Sequence, residues 1–444
     1  MLNPEIANND SPSAALYARA RAVMPGGCSR NTVLRKPHPL YAARGEGCYL
    51  IDIDGNRYVD FANNMAALIH GHAAPAIVAA VTEQLKLGTG YTMATEVEVE
   101  YAEYMCARVP SFDKIRFVNS GTEAVMCALK SARAFTGRSK IAKVEGSYHG
   151  VYDYAEISQT SQPANWGSAD HPASVPVTHG TPSSALNDVV VIPFNDLERA
   201  IAILDAHADE LACILLDLVP HRVGMILANP KFVAGLREWS TRNNVLLVLD
   251  EVITLRCRFG GAQEIFKVKP DLTAMGKLIG GGFPVGALAG RDDVMSVMDP
   301  LSEPVRFPHS GTFSANPITM VAGLTAMRAF DRAAVARLNE LGDRARARLT
   351  EAIRIADAPA CVTGVASLFR IHMKQTPPLS YRDTYESKVE KSMRNVFVEH
   401  MLRGGMLLTE TGAGMLSTAM TDAEIDALAD VAVEGFRKVK CKIG

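Results

Sequence analysis

The sequence predicts an α/β protein, with a mostly parallel sheet in a large domain and a smaller α+β domain after it. The chain has 444 residues, of which 48% are hydrophobic, and at ~100–200 residues per domain this length predicts more than one domain. From about residue 115, short apolar strands alternate with helical stretches. After about residue 312 the pattern becomes rich in helices. The alternation of strands and helices is what indicates a parallel sheet.

The N-terminal residues predict a helix and then a hairpin. A helix is expected over residues 14–23, and the Pro25-Gly26-Gly27 sequence after it favours a break. Strands are expected over residues 49–53 and 57–61, because Asp54-Gly55 between them is typical of a tight turn.

The middle of the chain predicts the main sheet. Apolar runs indicate strands at residues 115–119, 141–144, 189–192, 212–216, 245–249 and 285–289. A helix is expected over residues 122–135, with Gly137 just beyond its end. Strands that are apolar on both faces and separated by helices predict a sheet covered on both sides.

Three parts of the chain follow from these patterns. Residues 1–65 are expected to form an N-terminal segment that packs with the small domain, residues 66–311 the large domain, and residues 312–444 the small domain. The small domain is expected to contain a strand at 367–373 and a final amphipathic helix near 422–438. Residues 158–188 are rich in Ser, Thr and Pro without periodicity, and such a long segment favours a lid over the site more than a disordered loop.

Composition and charge exclude several classes of protein. With 46 basic and 48 acidic side chains, the chain lacks the concentrated basic face that nucleic-acid binding needs. It has no run of ~18 apolar residues that could cross a bilayer. The first ten residues lack the basic start and apolar run of a signal peptide, so a soluble, cytoplasmic protein is expected.

The sequence does not favour a metal site. The eight cysteines are scattered, without the paired spacing of a zinc ribbon or a redox dithiol. His70 and His72 have no acidic or cysteine partner at ligand spacing nearby.

Two candidate site motifs follow predicted strands. Ser120-Gly121-Thr122 opens the helix after the first strand of the main sheet, where free N–H groups and the helix dipole bind anions. An ordinary N-cap explains the same residues. Tyr148 follows the second strand, where its ring is placed to stack on a flat ligand. A buried core tyrosine is the alternative.

Two ionisable residues complete the constellation. Asp250 ends an apolar strand, where open α/β sheets bind ligands, and a half-buried carboxylate there needs a cationic partner. That partner is either a ligand's ring nitrogen or an arginine such as Arg256 or Arg258. Lys277 precedes Gly280-Gly281-Gly282, and a desolvated lysine amine can form a Schiff base with an aldehyde. A phosphate contact or an exposed turn is the alternative for this lysine.

The order of these motifs resembles a known family. FVNSGTEA, YHG, LDEV, GKLIGGGFPVGA and HSGTFSANP occur in that order, and the sequence resembles the class III (subgroup II) aminotransferases, which use pyridoxal phosphate. The resemblance covers about residues 14–434 and is greatest to glutamate-1-semialdehyde aminomutases and β-amino-acid transaminases. It implies the pyridoxal-phosphate transferase fold of type I.

The resemblance implies a role for each motif residue. Lys277 would hold pyridoxal phosphate as a Schiff base and move the proton, and Asp250 would pair with the ring nitrogen. The remaining cofactor contacts would be Ser120, Gly121 and Thr122 on the phosphate and Tyr148 and Val252 on the two ring faces.

Two further residues acquire roles in the same way. Thr312 resembles the threonine that reaches the phosphate of the partner subunit, which implies a homodimer with a shared site. Arg30 aligns with an arginine that binds a substrate carboxylate in β-amino-acid transaminases, a task for which its fork of donors is suited.

The sequence departs from the family's pattern at two positions. Asp217 and Leu218 occur where most members have Glu-Pro, which puts the contacts of that position in doubt. Thr411 occurs near the place of a second substrate-binding arginine, so that anchor is expected to be absent.

The expected function is amino transfer between an amino acid, with β-amino acids as one class, and a keto acid. Intramolecular transfer of the glutamate-1-semialdehyde 2,1-aminomutase type is the alternative. A non-catalytic protein that uses Ser120–Thr122 as an anion site is a third hypothesis. A dinucleotide-dependent oxidoreductase is disfavoured, because no Gly-x-Gly-x-x-Gly follows the first strand of a βαβ unit.

Overall fold

The computed structural model describes residues 10–441, beginning with a helix and an antiparallel meander. Helix α1 begins two residues before the predicted start, because Ser11 Oγ accepts the Ala14 N–H at 3.2 Å and proline occupies the first turn. The hairpin prediction is confirmed by two antiparallel strands. The elements of this region are α1 Pro12–Val23, β1 Ala42–Glu46, β2 Tyr49–Asp52, β3 Arg57–Asp60 and α2 Asn63–Ala66.

A left-handed turn closes this region. The four residues of α2 all have positive φ, from 43° at Asn63 to 73° at Ala66, and none of them is glycine. Left-handed backbone costs ~1–2 kcal/mol per residue, least for asparagine. The Asn63 amide bonds to the Met415 carbonyl at 2.5 Å, so contacts with the C-terminal region hold this conformation.

The main sheet has seven strands, which confirms the α/β prediction. They are β4 Lys114–Val118, β5 Lys140–Val144, β6 Val189–Ile192, β7 Leu211–Leu216, β8 Leu246–Asp250, β9 Leu272–Gly276 and β10 Gly286–Gly290. Their order in the sheet is β4-β10-β9-β8-β7-β5-β6, with only β10 antiparallel to its neighbours. Strand β9 lies outside the predicted set. The six predicted strands all occur, with ends shifted by at most one residue.

Helices cover the main sheet and dominate the rest of the described chain. Helix α5 follows β4 directly and ends at Gly137, whose φ of 72° is the left-handed conformation expected of its C-cap. The helices of this part are α3 Pro75–Leu87, α4 Glu96–Arg108, α5 Gly121–Thr136, α6 Asp153–Glu156, α7 Ser183–Asn187, α8 Leu197–Asp205, α9 Pro230–Arg242, α10 Gln263–Phe266 and α11 Asp292–Met295.

The C-terminal region is α+β, as predicted. Strands β11 Cys361–Thr363, β12 Leu368–His372 and β14 Ala413–Met415 form a three-stranded antiparallel sheet. The remaining elements are α12 Pro317–Ala329, α13 Arg332–Ala356, α14 Lys388–Arg403, β13 Met406–Leu407 and α15 Asp422–Lys440.

The N-terminal meander is completed by the C-terminal region. Strand β13 pairs in parallel with β3, so that Met406 lies opposite Val59. This pairing supports the predicted association of the N-terminal segment with the small domain. The boundaries at residues 65 and 311 stay predictions, and residues 1–9 and 442–444 of the outer parts lie outside the described residues.

The described residues contain neither a membrane-spanning helix nor a cluster of metal ligands. Within residues 10–441, no helix combines the length and the apolar character needed to cross a membrane. Over the same range, no cluster of three or more His, Cys, Asp or Glu side chains is placed to hold a metal ion. His70 instead contacts Thr418 Oγ1 and the Ala326 carbonyl.

Candidate active site

The predicted site motifs meet at one edge of the main sheet. Asp250 is the last residue of β8, and Lys277 directly follows β9. Tyr148 lies just beyond β5, which runs parallel to these strands through β7. Because the carboxyl ends of parallel strands lie at the same edge, the fold brings these side chains to the place where such sheets bind ligands.

Glycines allow the four segments to approach closely. A Cβ atom on Gly121 would lie 3.0 Å from Val252 Cγ1, and one on Gly150 would lie 2.5 Å from Thr122 Oγ1. A Cβ on Gly276 would lie 3.3 Å from the Gly121 Cα. The start of α5, the Tyr148 loop, the residues after Asp250 and the residue before Lys277 therefore surround one space.

Asp250 has two partners in this space, and neither is an arginine. His149 Nδ1 lies 2.7 Å from one carboxylate oxygen, and the Val252 N–H donates to the other at 3.0 Å. An ionised carboxylate can only accept, so Nδ1 carries the proton. Burial lowers the pKa of His149, although the bond to Asp250 opposes this, and the neutral ring has its Nε2 buried without a hydrogen-bond partner among the described residues.

The salt bridge considered for Asp250 is wrong. The Arg256 guanidinium donates to Ser367 Oγ and to the Leu416 carbonyl. Arg258 donates to the Cys257 carbonyl at 3.2 Å. Both arginines donate to backbone or hydroxyl oxygens, so neither is the cationic partner of Asp250.

Lys277 lies beside two acids. It has a left-handed φ of 51°. Burial lowers the pKa of its amine, and the charges of Asp250 and Asp217 act in the opposite direction. Asp217 is buried and accepts the Val219 N–H at 2.9 Å. Burial, and then the charge of Asp250, raise the pKa of Asp217 well above its usual range.

The start of α5 is capped by a side chain, but some of its backbone N–H groups have no acceptor within the helix. Ser120 Oγ accepts the Glu123 N–H at 3.1 Å, which confirms the N-cap interpretation. The N–H groups of Gly121 and Thr122 belong to the first turn, so they have no acceptor within the helix. The Glu123 carboxylate turns back to the Asn119 N–H at 2.7 Å. The helix end therefore still offers donors to an anion.

Tyr148 is not a buried core residue. Its side chain is 36% exposed. The ring meets His221 edge-on, with 6.0 Å between the centroids, and Arg222 places its guanidinium carbon 5.5 Å from the Tyr148 centroid. The sequence predicted no role for His149, which belongs to the YHG motif, or for Arg222. Each follows a strand of the main sheet within a few residues, and this position is the signal that could have indicated them.

Arg30 and Thr312 lie on irregular segments. Arg30 is exposed, and its Nη1 donates to Asn64 Oδ1 at 2.7 Å, so its neighbour is an amide rather than an acid. Arg30, Asn64 and Gly282 line a cavity of about 570 Å³, which links Arg30 to the glycines after Lys277. Thr312 is exposed, and its contact with a partner's phosphate stays a prediction.

The comparison with known proteins decides the family. Residues 32–439 match the model of the family described as aminotransferase class III. The chain belongs to this family. Class III membership confirms the resemblance and the fold class, and it confirms that the chain is a member of an enzyme family with pyridoxal phosphate as the cofactor. It does not separate an aminotransferase from an aminomutase. Amino and keto substrates follow from the family.

Relatives of this class III aminotransferase chain divide between two reactions. A glutamate-1-semialdehyde 2,1-aminomutase of Methanothermobacter thermautotrophicus is 37% identical, covering 96% of this chain and 99% of its own. An omega-transaminase structure from Sphaerobacter thermophilus is 47% identical with a TM-score of 0.96, covering 98% of this chain and all of that one. A β-phenylalanine aminotransferase structure from Variovorax paradoxus is 34% identical with a TM-score of 0.85, covering 97% and 94%.

Proposed function

We propose that this enzyme is an aminotransferase that moves an amino group between an amino acid, with β-amino acids as one class, and a keto acid. The observation that carries the proposal is the meeting of Lys277, Asp250 and the α5 start at one edge of the main sheet. The similarity to the omega-transaminase and the β-phenylalanine aminotransferase supports transfer between two substrates.

The residues at this edge fit pyridoxal phosphate. Lys277 would hold its aldehyde carbon, and the N–H groups of Gly121 and Thr122 with the Ser120 and Thr122 hydroxyls would bind its phosphate. Tyr148 would lie on one ring face and Val252 on the other. When bound, the cofactor supplies an aldehyde that takes up the amino group and a protonated ring that accepts electrons.

Asp250 acts on the ring nitrogen. Its carboxylate is held by the His149 ring and the Val252 N–H, so it is oriented before the cofactor binds. A fixed negative charge beside the nitrogen favours the protonated ring. His149 is a positioning residue, because it touches Asp250 rather than the reacting atoms.

Lys277 moves the proton of the reaction. A base must lose its own proton before it can take one from the substrate carbon, and burial favours the neutral amine. The two acids nearby limit this shift. Burial raises the pKa of Asp217. When Asp217 is protonated it carries no charge, so it no longer favours the protonated form of the Lys277 amine.

A two-substrate assay tests the proposal. The purified enzyme is given β-phenylalanine, with and without 2-oxoglutarate, and product is measured over many turnovers. We expect sustained turnover only with the keto acid present. Failure of a panel of amino acids and keto acids to give any turnover contradicts the proposal.

The second candidate function is an aminomutase reaction. It is favoured by the curated relatives of that name and by residues 158–182, which contain no helix or strand. Arg382 donates to the Gly167 and Ser168 carbonyls of this segment. It also pairs with the Glu145 carboxylate directly after β5, so it connects the segment to the main sheet. Turnover of glutamate-1-semialdehyde to 5-aminolevulinate without a keto acid would establish this reaction.

The active unit is proposed to be a homodimer, and the enzyme is proposed to be cytoplasmic. The exposed Thr312 would complete the phosphate site of the partner subunit. Mixing inactive Lys277→Ala subunits with inactive Thr312→Ala subunits tests this arrangement. If the site is shared, one of the two sites in a mixed dimer contains an intact Lys277 and an intact Thr312, so we expect activity to return. A fully active monomer in solution contradicts it.

A further inference from the structure

Arg222 is a cation at the candidate site without an acidic partner. It lies in the turn His221–Val223 that follows β7, and its side chain is exposed. Its guanidinium lies over the ring of Tyr148 at 5.5 Å. Within residues 10–441, no acidic side chain forms an ion pair with it. A guanidinium beside a ligand-facing aromatic ring has its five donors available for an anion.

Other cations lie near Arg222. Lys143 is fully buried and donates to the Ser147 and Ile157 carbonyls, at 2.9 Å and 2.5 Å. Burial, and then the Arg222 charge, lower the pKa of Lys143 to about 7. Arg370 donates to the His221 carbonyl at 2.7 Å. Burial lowers the pKa of Arg370 to about 10, and the Arg222 charge contributes a smaller part.

The acids of this region are already engaged. Glu145 accepts from Arg382, and Glu386 accepts from Arg394. Glu156 accepts the Thr178 hydroxyl at 2.9 Å, a bond that leaves its charge in place. Two of these three acids thus have cationic partners other than Arg222, whose own charge is left for an anionic ligand.

The turn that carries Arg222 is joined to the strands next to Thr411. Arg370 of β12 donates to the His221 carbonyl at 2.7 Å and lies opposite Ala413 of β14. Ala413 is two positions after Thr411, near the place where the resemblance puts a second substrate-binding arginine. The fold therefore connects the Arg222 turn through Arg370 to this part of the chain.

We propose that the Arg222 guanidinium binds a carboxylate of the substrate and supplies the anchor that the chain lacks at Thr411. The inference rests on the proposed function, because Tyr148 marks the face of the cofactor ring. It narrows the substrates to molecules that carry a carboxylate near the reacting carbon. The planar fork of Arg222 holds that carboxylate bidentately.

A pair of ligands that differ in charge tests the proposal. Binding of 3-phenylpropanoate and of 3-phenylpropanamide to the cofactor-loaded enzyme is measured by calorimetry, which needs no turnover. We expect Arg222→Gln to weaken binding of the acid by about 10- to 100-fold, the range for a hydrogen bond to a charged group, and to leave the amide within about twofold. Arg222→Lys keeps the charge and loses the fork, so it should lie between the two.

Arg242 provides a matched control. It is an exposed arginine at the end of α9, and Arg242→Gln removes the same charge away from the site. Arg222 is not the anchor if Arg222→Gln keeps the wild-type preference for the acid over the amide. The same holds if Arg222→Gln weakens the binding of both ligands equally. Absence of transamination by the wild type contradicts the proposed function instead, so the two failures are distinguishable.

Discussion

The cofactor half and the substrate half of the candidate site are built in different ways. Asp250 and Lys277 lie at the ends of buried strands, and both carboxylate oxygens of Asp250 have partners. Arg30 and Arg222 lie on irregular segments, exposed and without acidic partners among residues 10–441. The sheet fixes the groups that would hold the cofactor, whereas the arginines proposed to bind a carboxylate lie on loops that can vary without disturbing the core.

The largest expected effect concerns Lys277. Lys277→Ala should abolish turnover and covalent attachment of the cofactor, because it removes the amine that bonds the aldehyde and moves the proton. Borohydride reduction followed by peptide mass analysis measures the attachment. Lys267 is a matched control, since it has the same φ of 51° on an exposed turn, and Lys267→Ala should keep activity. Steady-state transamination by Lys277→Ala would refute the assignment.

The second prediction concerns Asp250. Asp250→Asn should lower kcat by at least about 100-fold while cofactor absorbance is retained, since the amide cannot keep the ring nitrogen protonated. The Asn side chain has one acceptor oxygen, so it can keep the bond from the His149 ring or from the Val252 N–H, but not both.

Glu251 is the control for this change. It is fully buried and accepts the Ala262 and Gln263 N–H groups, each at 2.9 Å. Glu251→Gln should lower the free energy of unfolding by about 1–3 kcal/mol without a comparable loss of kcat. A near-wild-type kcat in Asp250→Asn would contradict the prediction that Asp250 acts in catalysis and Glu251 only in stability.

The third prediction concerns the substrate half. Arg30→Ala should lower kcat/KM for a β-amino acid. The corresponding activation free energy should rise by about 1.5–3 kcal/mol, the cost of losing a charge-assisted hydrogen bond. The corresponding amine without a carboxylate should be unaffected. Steady-state kinetics on β-phenylalanine and 1-phenylethylamine measure the difference. Equal losses on both substrates, or no loss on either, would show that Arg30 is not a carboxylate anchor.

The smallest expected effect is a pH dependence of the free energy of unfolding, and it is caused by Lys143. Burial lowers the pKa of Lys143 from 10.5 to about 7. Between these values the unfolded chain binds a proton that the folded chain has lost, so Lys143 makes stability rise with pH in this window. The free energy of unfolding of the wild type relative to Lys143→Met should therefore increase from pH 7 to pH 10. Parallel urea titrations of both proteins measure it, and a constant difference would contradict the shift.

The regular part of the fold was predictable because apolar runs are local signals. Residues 189–192 were predicted as a strand and form β6 with the same ends. Strand β9 was not in the predicted set, because Thr273 and Gly276 interrupt its apolar character although all five of its residues are buried. Ser120, Tyr148 and Asp250 were predictable for the same reason, since each follows a predicted apolar strand.

The contacts that complete the site were not predictable from local patterns. His149 and Asp250 are 101 positions apart, so no spacing rule connects them. The left-handed turn from Asn63 to Ala66 contains no glycine to indicate it. Arg222 reaches the Tyr148 ring because of where β7 ends in the sheet, and only the assembled fold shows this contact.

The pairing of the N-terminal meander with β13 also has a consequence for the order in which the chain matures during synthesis. Asn63 contacts Met415, which is 352 positions later, and β3 gains its last neighbour only at Met406. The main sheet ends at Gly290, so it can assemble on the ribosome while the meander still has an unpaired edge. We therefore expect newly made chains to acquire the cofactor half of the site before the Arg30 segment is fixed.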